Sequence, residues 1–121
     1  MRQFDHEKLD VYQAAIKFVT WSSDLLEELP KGLAVHNQLD RATTSIPLNI
    51  AEGNGKYTPA DRCRYFDNAR GSALECAACL DVLVARKRIE TSVADEGKVV
   101  LVEIVSMLVG LIRANSDSRK V

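Results

Sequence analysis

Apolar side chains return every third or fourth residue through four long segments, and a chain patterned in this way has little to fold into except amphipathic helices. Leu9, Tyr12, Ile16 and Val19 open the first stripe. Val11, Ala15 and Phe18 widen it, and Leu25, Leu26 and Leu29 carry it to a stop at Pro30 and Gly32. Val35, Leu39, Ala42, Ile46 and Ile50 form the second. Phe66, Ala69, Ala73, Cys76, Leu80 and Leu83 form the third, in the 3-4-3-4-3 steps of a bundle seam. Leu101, Ile104, Leu108 and Leu111 form the fourth, widened by Val105 and Ile112. No stretch alternates as a half-buried strand would. The pattern predicts an all-α, antiparallel up-down-up-down four-helix bundle, a single domain over residues 1–121. Its helices are expected over about 6–29, 33–52, 59–88 and 93–114.

Start and stop signals refine these limits. Asp5 is a candidate N-cap, with Phe4 and Leu9 at the positions of a hydrophobic staple. Thr58, Pro59 and Asp61 supply a cap, a first-turn proline and an acid three residues after the cap. Gly53-Asn54-Gly55 tolerates left-handed backbone and is expected to end the second helix. The fourth is expected to start after Ser92, with Asp95 three residues on. Pro47 falls inside the second helix, where it removes one backbone bond; a kink near Thr43–Pro47, relieved by the Thr43 or Thr44 hydroxyl, is expected.

Composition narrows the function. Sixteen Lys and Arg against 17 Asp and Glu leave a net charge of -1, which disfavours a dedicated polyanion binder. Apolar residues make up 46%, as in ordinary globular domains, and no apolar run is long enough to span a bilayer. Met1 to Glu7 lacks the apolar stretch of a secretory signal. Cys63, Cys76 and Cys79 are an odd count without an export signal, which points to reduced thiols in a cytoplasmic protein.

The motifs of common chemistries are missing. Cys76-Ala77-Ala78-Cys79 has no second pair to complete a zinc site, and His6 and His36 lie far apart. Small residues packing a helix are the plainer reading of those cysteines, with a thiol or metal function as the alternative. Neither histidine has a Glu three residues before it, as carboxylate-bridged di-iron bundles require. Gly53-Asn54-Gly55-Lys56 falls short of a Walker loop, having Ile50 and Tyr57 where glycine and a hydroxyl residue are needed, and short of a dinucleotide fingerprint at Thr58. No Gly-x-Ser-x-Gly elbow occurs. No catalytic, cofactor-binding or metal-binding residue is therefore assigned, and no cofactor is expected.

Two groups of polar residues do stand out. Arg41, Ser45, Asn49 and Glu52 follow one another at three- or four-residue steps beside the apolar face of the second helix. Ser72 and Glu75 border the seam of the third. Buried groups of this kind need partners. A structural network is expected in which Arg41 or Asn49 pairs with Glu75 and sets register. The second group is basic. Residues 1–30 carry three bases against six acids, while residues 56–88 carry seven against four. Lys56, Arg62, Arg64 and Arg70, with Tyr57 and Tyr65 among them, and Arg86, Lys87 and Arg88 beyond, are candidate nucleic-acid contacts. The plainer reading is a solvated face that pairs with the acidic first helix of the same or a neighbouring chain.

The string Arg41-Ala42-Thr43-Thr44-Ser45-Ile46-Pro47-Leu48-Asn49-Ile50-Ala51-Glu52-Gly53 resembles the signature of the four-helix bundle family of 23S rRNA-intervening-sequence proteins. Leu9-Asp10-Val11-Tyr12-Gln13-Ala14-Ala15, Phe66 with Ala69, and Gly71-Ser72-Ala73-Leu74-Glu75 agree with it, so the resemblance covers about residues 4–112. It implies a small bacterial bundle, a ring-shaped homopentamer and no catalytic site. It also implies kinship with the accessory variability determinant of diversity-generating retroelements, which binds a reverse transcriptase and nucleic acid through a basic surface. This chain departs from that branch in charge. The apolar surplus on the fourth helix, and Trp21 off the first stripe, independently suggest contact with another subunit, and the opposite charges of helices one and three suit a head-to-tail ring. The leading expectation is a non-enzymatic, homo-oligomeric interaction scaffold. An RNA- or DNA-binding accessory protein is the alternative.

Overall fold

The computed structural model describes residues 3–116. Among them are a short 3-10 turn, Asp5–Lys8, and four α-helices: α1 (Asp10–Glu28), α2 (Ala34–Asn54), α3 (Pro59–Ala85) and α4 (Thr91–Ala114). Each helix packs on its neighbours in sequence, α4 also packs on α1, and the backbones of the diagonal pairs α1/α3 and α2/α4 stay apart. The four therefore enclose one core. Phe18, Leu39, Ile46, Ile50, Phe66, Leu80, Leu83, Ile104, Leu108 and Ile112 are sealed inside it. Burying a side chain of this size stabilises by about 1.5–3 kcal/mol, so these stripes dominate folding. No helix among the described residues is long and apolar enough to cross a membrane.

Helix ends depart from the sequence expectations where local partners compete. Asp5 caps no α-helix. The Phe4 amide donates to the Glu7 carboxylate at 2.8 Å, which closes a 3-10 turn instead. The His6 ring stacks on Phe4 and meets Tyr12 edge-on, centroids 5.9 and 4.7 Å apart. α1 then opens at Asp10. α2 runs unbroken through Pro47 and past Gly53, ending at Asn54. No glycine among the described residues takes positive φ, so the expected left-handed stop at Gly53–Gly55 is absent. Gly53 has a packing role instead. A Cβ there would lie 2.9 Å from the Phe66 ring and 3.0 Å from the Tyr65 Cβ, so its bareness lets α2 and α3 close together. Neither threonine hydroxyl turns to the carbonyl that Pro47 leaves free. Thr44 donates to the Asp40 carbonyl at 2.9 Å, and Thr43 pairs with the Cys76 thiol at 3.6 Å.

α3 begins as expected, with the Thr58 hydroxyl accepting from the Asp61 amide at 3.1 Å. It ends earlier than expected, at Ala85. The Lys87 amide bonds the Val84 carbonyl and the Arg88 amide bonds the Leu83 carbonyl, both at 2.9 Å. Lys87 has φ 59, which completes a Schellman stop with lysine where glycine is usual. α4 opens at Thr91 after Glu90, with no side-chain cap, rather than after Ser92.

Trp21 packs within the chain and is half-buried. It packs 5.5 Å from Phe18, and its ring covers Gly97 of α4. A Cβ at Gly97 would sit 2.6 Å from the indole and 2.9 Å from the Leu80 Cδ1. Alanine normally favours a helix over glycine by about 1 kcal/mol. At position 97 that gain is overwhelmed by crowding that typically costs about 1–3 kcal/mol. Gly97→Ala therefore lowers stability in urea unfolding, whereas Gly110→Ala, with nothing within 4 Å of its added methyl, raises it.

Candidate interaction surfaces

The polar network between α2 and α3 is real but smaller than expected. Ser72 Oγ donates to Ser45 Oγ at 2.9 Å, and Asn49 Nδ2 donates to the Ser45 hydroxyl and carbonyl at 2.8 and 2.9 Å. Arg41 and Glu75 take no part, because both are exposed, and Glu52 turns out to bond Lys56 instead. The helical period placed Arg41 and Glu75 beside the seam, but long charged side chains there swing outward to water. Short Ser45 and Ser72 stay and join the helices.

The basic residues separate into two groups. Arg86, Lys87 and Arg88 are exposed at the far end of α3. Arg64 is 22 residues before Arg86, roughly 33 Å along the helix, so no single local patch contains both groups. In the near group Lys56, Arg62 and Arg64 each have a local partner. Lys56 pairs with Glu52 at 3.4 Å and Arg64 with Asp61 at 4.0 Å, and both lie over the Tyr65 ring, 5.1 and 4.8 Å from its centroid. Arg62 donates to Asn54 Oδ1 at 3.3 Å, and Asn54 in turn donates to Asp5 at 2.9 Å. Of the expected pairing between the basic stretch and the acidic first helix, the described residues show only this indirect link through Asn54, and Asp5 lies in the turn before α1. Arg70 is half-buried, and its Nε has no hydrogen-bond partner among the described residues. Tyr57 stands fully exposed beside this cluster.

The three cysteines are buried free thiols. Cys63 donates to the Ile112 carbonyl at 3.6 Å, tying α3 to α4. Burial pushes the Cys76 thiol from 9.0 up to about 12, against the lowering effect of the Thr43 hydroxyl; nearby Cys79 and Glu75 raise it further. Burial, then Glu75, raises Cys79 as well. Among the described residues no group of three or more His, Cys, Asp and Glu is arranged to hold a metal ion. His36 is buried between α1 and α2, with Nε2 3.1 Å from the Leu26 carbonyl.

A surface that periodicity only partly revealed lies on the outside of α3 and α4. Leu74, Val99 and Val102 are each more than half exposed there, Val102 at 64%. Between the helices runs an open groove of about 370 Å³ with Ala73, Ala77, Leu101 and Val105 along it. An ion pair between Lys98 and Asp81 marks one end. Val99 and Val102 were legible as surplus beyond one seam. Leu74 was not, because it follows Ala73 and reads as part of the same apolar run. Leu48 of α2 was missed in the same way: it is 60% exposed within the apolar run from Ile46 to Ile50.

Comparison with known proteins adds the family. The model for "23S rRNA-intervening sequence protein" matches residues 7–110. The chain belongs to the 23S rRNA-intervening sequence protein family. A crystal structure of a protein of unknown function from the S23 ribosomal protein family of Bacteroides thetaiotaomicron is similar to it in fold. That similarity has a TM-score of 0.80 at 24% identity, covering 85% of this chain and 98% of the other. No curated protein matches. The family string maps onto the tightest helix contact: Ser45 and Asn49 make the α2–α3 network, and Gly53 admits Phe66.

The thiols generate a measurable outcome. Thiolate is the reactive form, so raised pKa and burial both retard attack. At pH 8 the folded protein is expected to react with a colorimetric disulfide reagent at least a hundredfold more slowly than the urea-unfolded chain, which releases three equivalents. With the folded pKa of Cys76 raised, its contribution to stability is complete below 9.0 and is lost as pH climbs toward about 12.

Proposed function

We propose that this family member is a non-enzymatic interaction scaffold: an antiparallel up-down-up-down bundle that assembles with copies of itself into a ring of five. The antiparallel arrangement is supported by the order of the contacts. Rising positions on α2 meet falling positions on α3, with Thr43 against Cys76, Ser45 against Ser72 and Asn54 against Arg62. Likewise Asp81 meets Lys98, and Cys63 meets Ile112, across α3 and α4. The observation that carries self-association is the exposed apolar face of Leu74, Val99 and Val102 around the α3–α4 groove. Apolar patches of this kind on a small domain mark interaction sites. The number five comes from the resemblance to ring-forming relatives. A non-enzymatic role is supported by the polar groups on apolar faces, which bond helix to helix. Reduced, buried thiols support a cytoplasmic setting.

Light scattering at micromolar concentration is expected to give about five times the chain mass of 13.4 kDa. Val102→Asp is expected to shift it to the mass of one chain without loss of helical circular dichroism. A wild-type protein that stays monomeric at every concentration overturns the reading.

A second reading is an accessory protein that binds RNA or DNA. Fully exposed Tyr57 beside Lys56 and Arg64 favours it, since such a ring can stack on a base. The local acids that already pair with Lys56 and Arg64 weigh against it. A gel shift with single-stranded RNA at low salt decides: binding that Tyr57→Ala weakens and added salt abolishes supports the reading, and no shift at low salt ends it.

A further inference from the structure

We infer that a pocket between the end of α1 and the start of α4 binds a short aliphatic diamine, its two ammonium groups held by Asp24 and Glu28 beside the ring of Trp21. The inference does not depend on the self-association reading. Trp21, Asp24, Leu25, Glu28 and Val93 line the pocket, whose volume is about 170 Å³. That is the volume of about six liquid water molecules, so the occupant is small. The inner edge of the indole lies against Gly97, and the ring as a whole is only half-buried, which leaves part of it to the pocket.

Charge selects a cation. Asp24 and Glu28 are exposed, and neither has an ion pair among the described residues. No basic residue lines the pocket, and none lies in the last turn of α1. Glu28 is the final residue of that helix, where the negative end of the helix dipole disfavours a carboxylate. A bound cation relieves both the unpaired charges and the clash with the dipole. The walls then select an organic cation over a metal ion. A hard cation such as calcium takes about six to eight oxygen ligands. Among the described residues no group of three or more His, Cys, Asp and Glu is placed to hold one. Trp21, Leu25 and Val93 offer apolar surface to methylene groups instead, and an indole attracts an ammonium group more strongly than the other aromatic rings do. Spacing selects a diamine. Asp24 and Glu28 are four residues apart, about 6 Å along the helix axis. Two nitrogens joined by four methylenes stand about 6 Å apart when extended. One such molecule addresses both carboxylates while its chain rests on the apolar wall between them.

Trp21 is the only tryptophan of the chain, so its fluorescence reports on this pocket directly. Putrescine titrated into the full-length protein at low, constant ionic strength should change that fluorescence saturably at millimolar concentration or below. It should also raise the melting temperature, as a ligand that binds only the folded chain does. Asp24→Asn combined with Glu28→Gln should weaken the apparent affinity at least tenfold with helical circular dichroism unchanged. Glu103→Gln, at an exposed acid elsewhere on α4, should leave it as it is. Butylamine, with one ammonium group on the same length of chain, should bind several-fold more weakly, and the neutral diol of that length should not bind. No saturable change with putrescine overturns the inference. So does a double variant that binds as tightly as the wild type, which would put the amine elsewhere. An equal response to sodium chloride at matched ionic strength overturns it too, since that would be screening alone.

Discussion

The closeness of α2 to α3 is the constraint on which the other helices depend. It is the most extensive of the helix pairings, and it is built from small groups. Gly53 leaves room for Phe66, Ser45 reaches Ser72, and Thr43 reaches Cys76. Each removes bulk at the crossing or replaces a methyl with a short hydroxyl that has a partner across the gap. A longer polar side chain at any of these places would hold the helices apart or leave a buried group unsatisfied, at a cost of about 1–3 kcal/mol. With α2 and α3 locked, α4 closes on α3 through the Cys63 bond to Ile112, and α1 closes on α4 where Trp21 lies over Gly97. Close approach by omission of a side chain thus occurs twice, at opposite ends of the bundle.

Those contacts also explain what is left over. The bundle interior has room for one apolar stripe per helix. The sequence of α4 offers more than that, and Leu74 adds to it on α3, so part of the excess stands outside along the α3–α4 groove. Leu48 stands outside on another. In water each exposed group of this size forgoes burial free energy that contact with a second surface would recover. The fold therefore separates two apolar groups: the core, satisfied within the chain, and side chains left exposed on its outer faces.

Electrostatics follow the opposite course. Part of the basic stretch that looked like a free patch is drawn into local pairs. Lys56 and Arg64 find Glu52 and Asp61 one helical turn away, share Tyr65 between them, and leave Arg62 tied to Asp5 through Asn54. Such exposed pairs add little stability, about 0–1 kcal/mol each. Their effect is to neutralise the field that a polyanion would feel. The seven bases, spread along both ends of α3, act as two weak groups instead of one strong one.

Much of the architecture was legible because helical periodicity is a local property: apolar residues at three- and four-residue steps must share a face whatever the rest of the chain does. The α3 start was legible for the same reason, since Thr58, Pro59 and Asp61 satisfy one another within a single turn. The Schellman stop at Lys87 was not, because the geometry there is a backbone bond pattern that lysine adopts under constraint from the packed helix. Nor could spacing say that Arg41 and Glu75 turn outward while Ser45 and Ser72 meet. That outcome depends on how near two helices come, and on whether a side chain is long enough to reach water. Periodicity assigns residues to faces; distance between helices assigns them to partners, and distance exists only after the chain has folded.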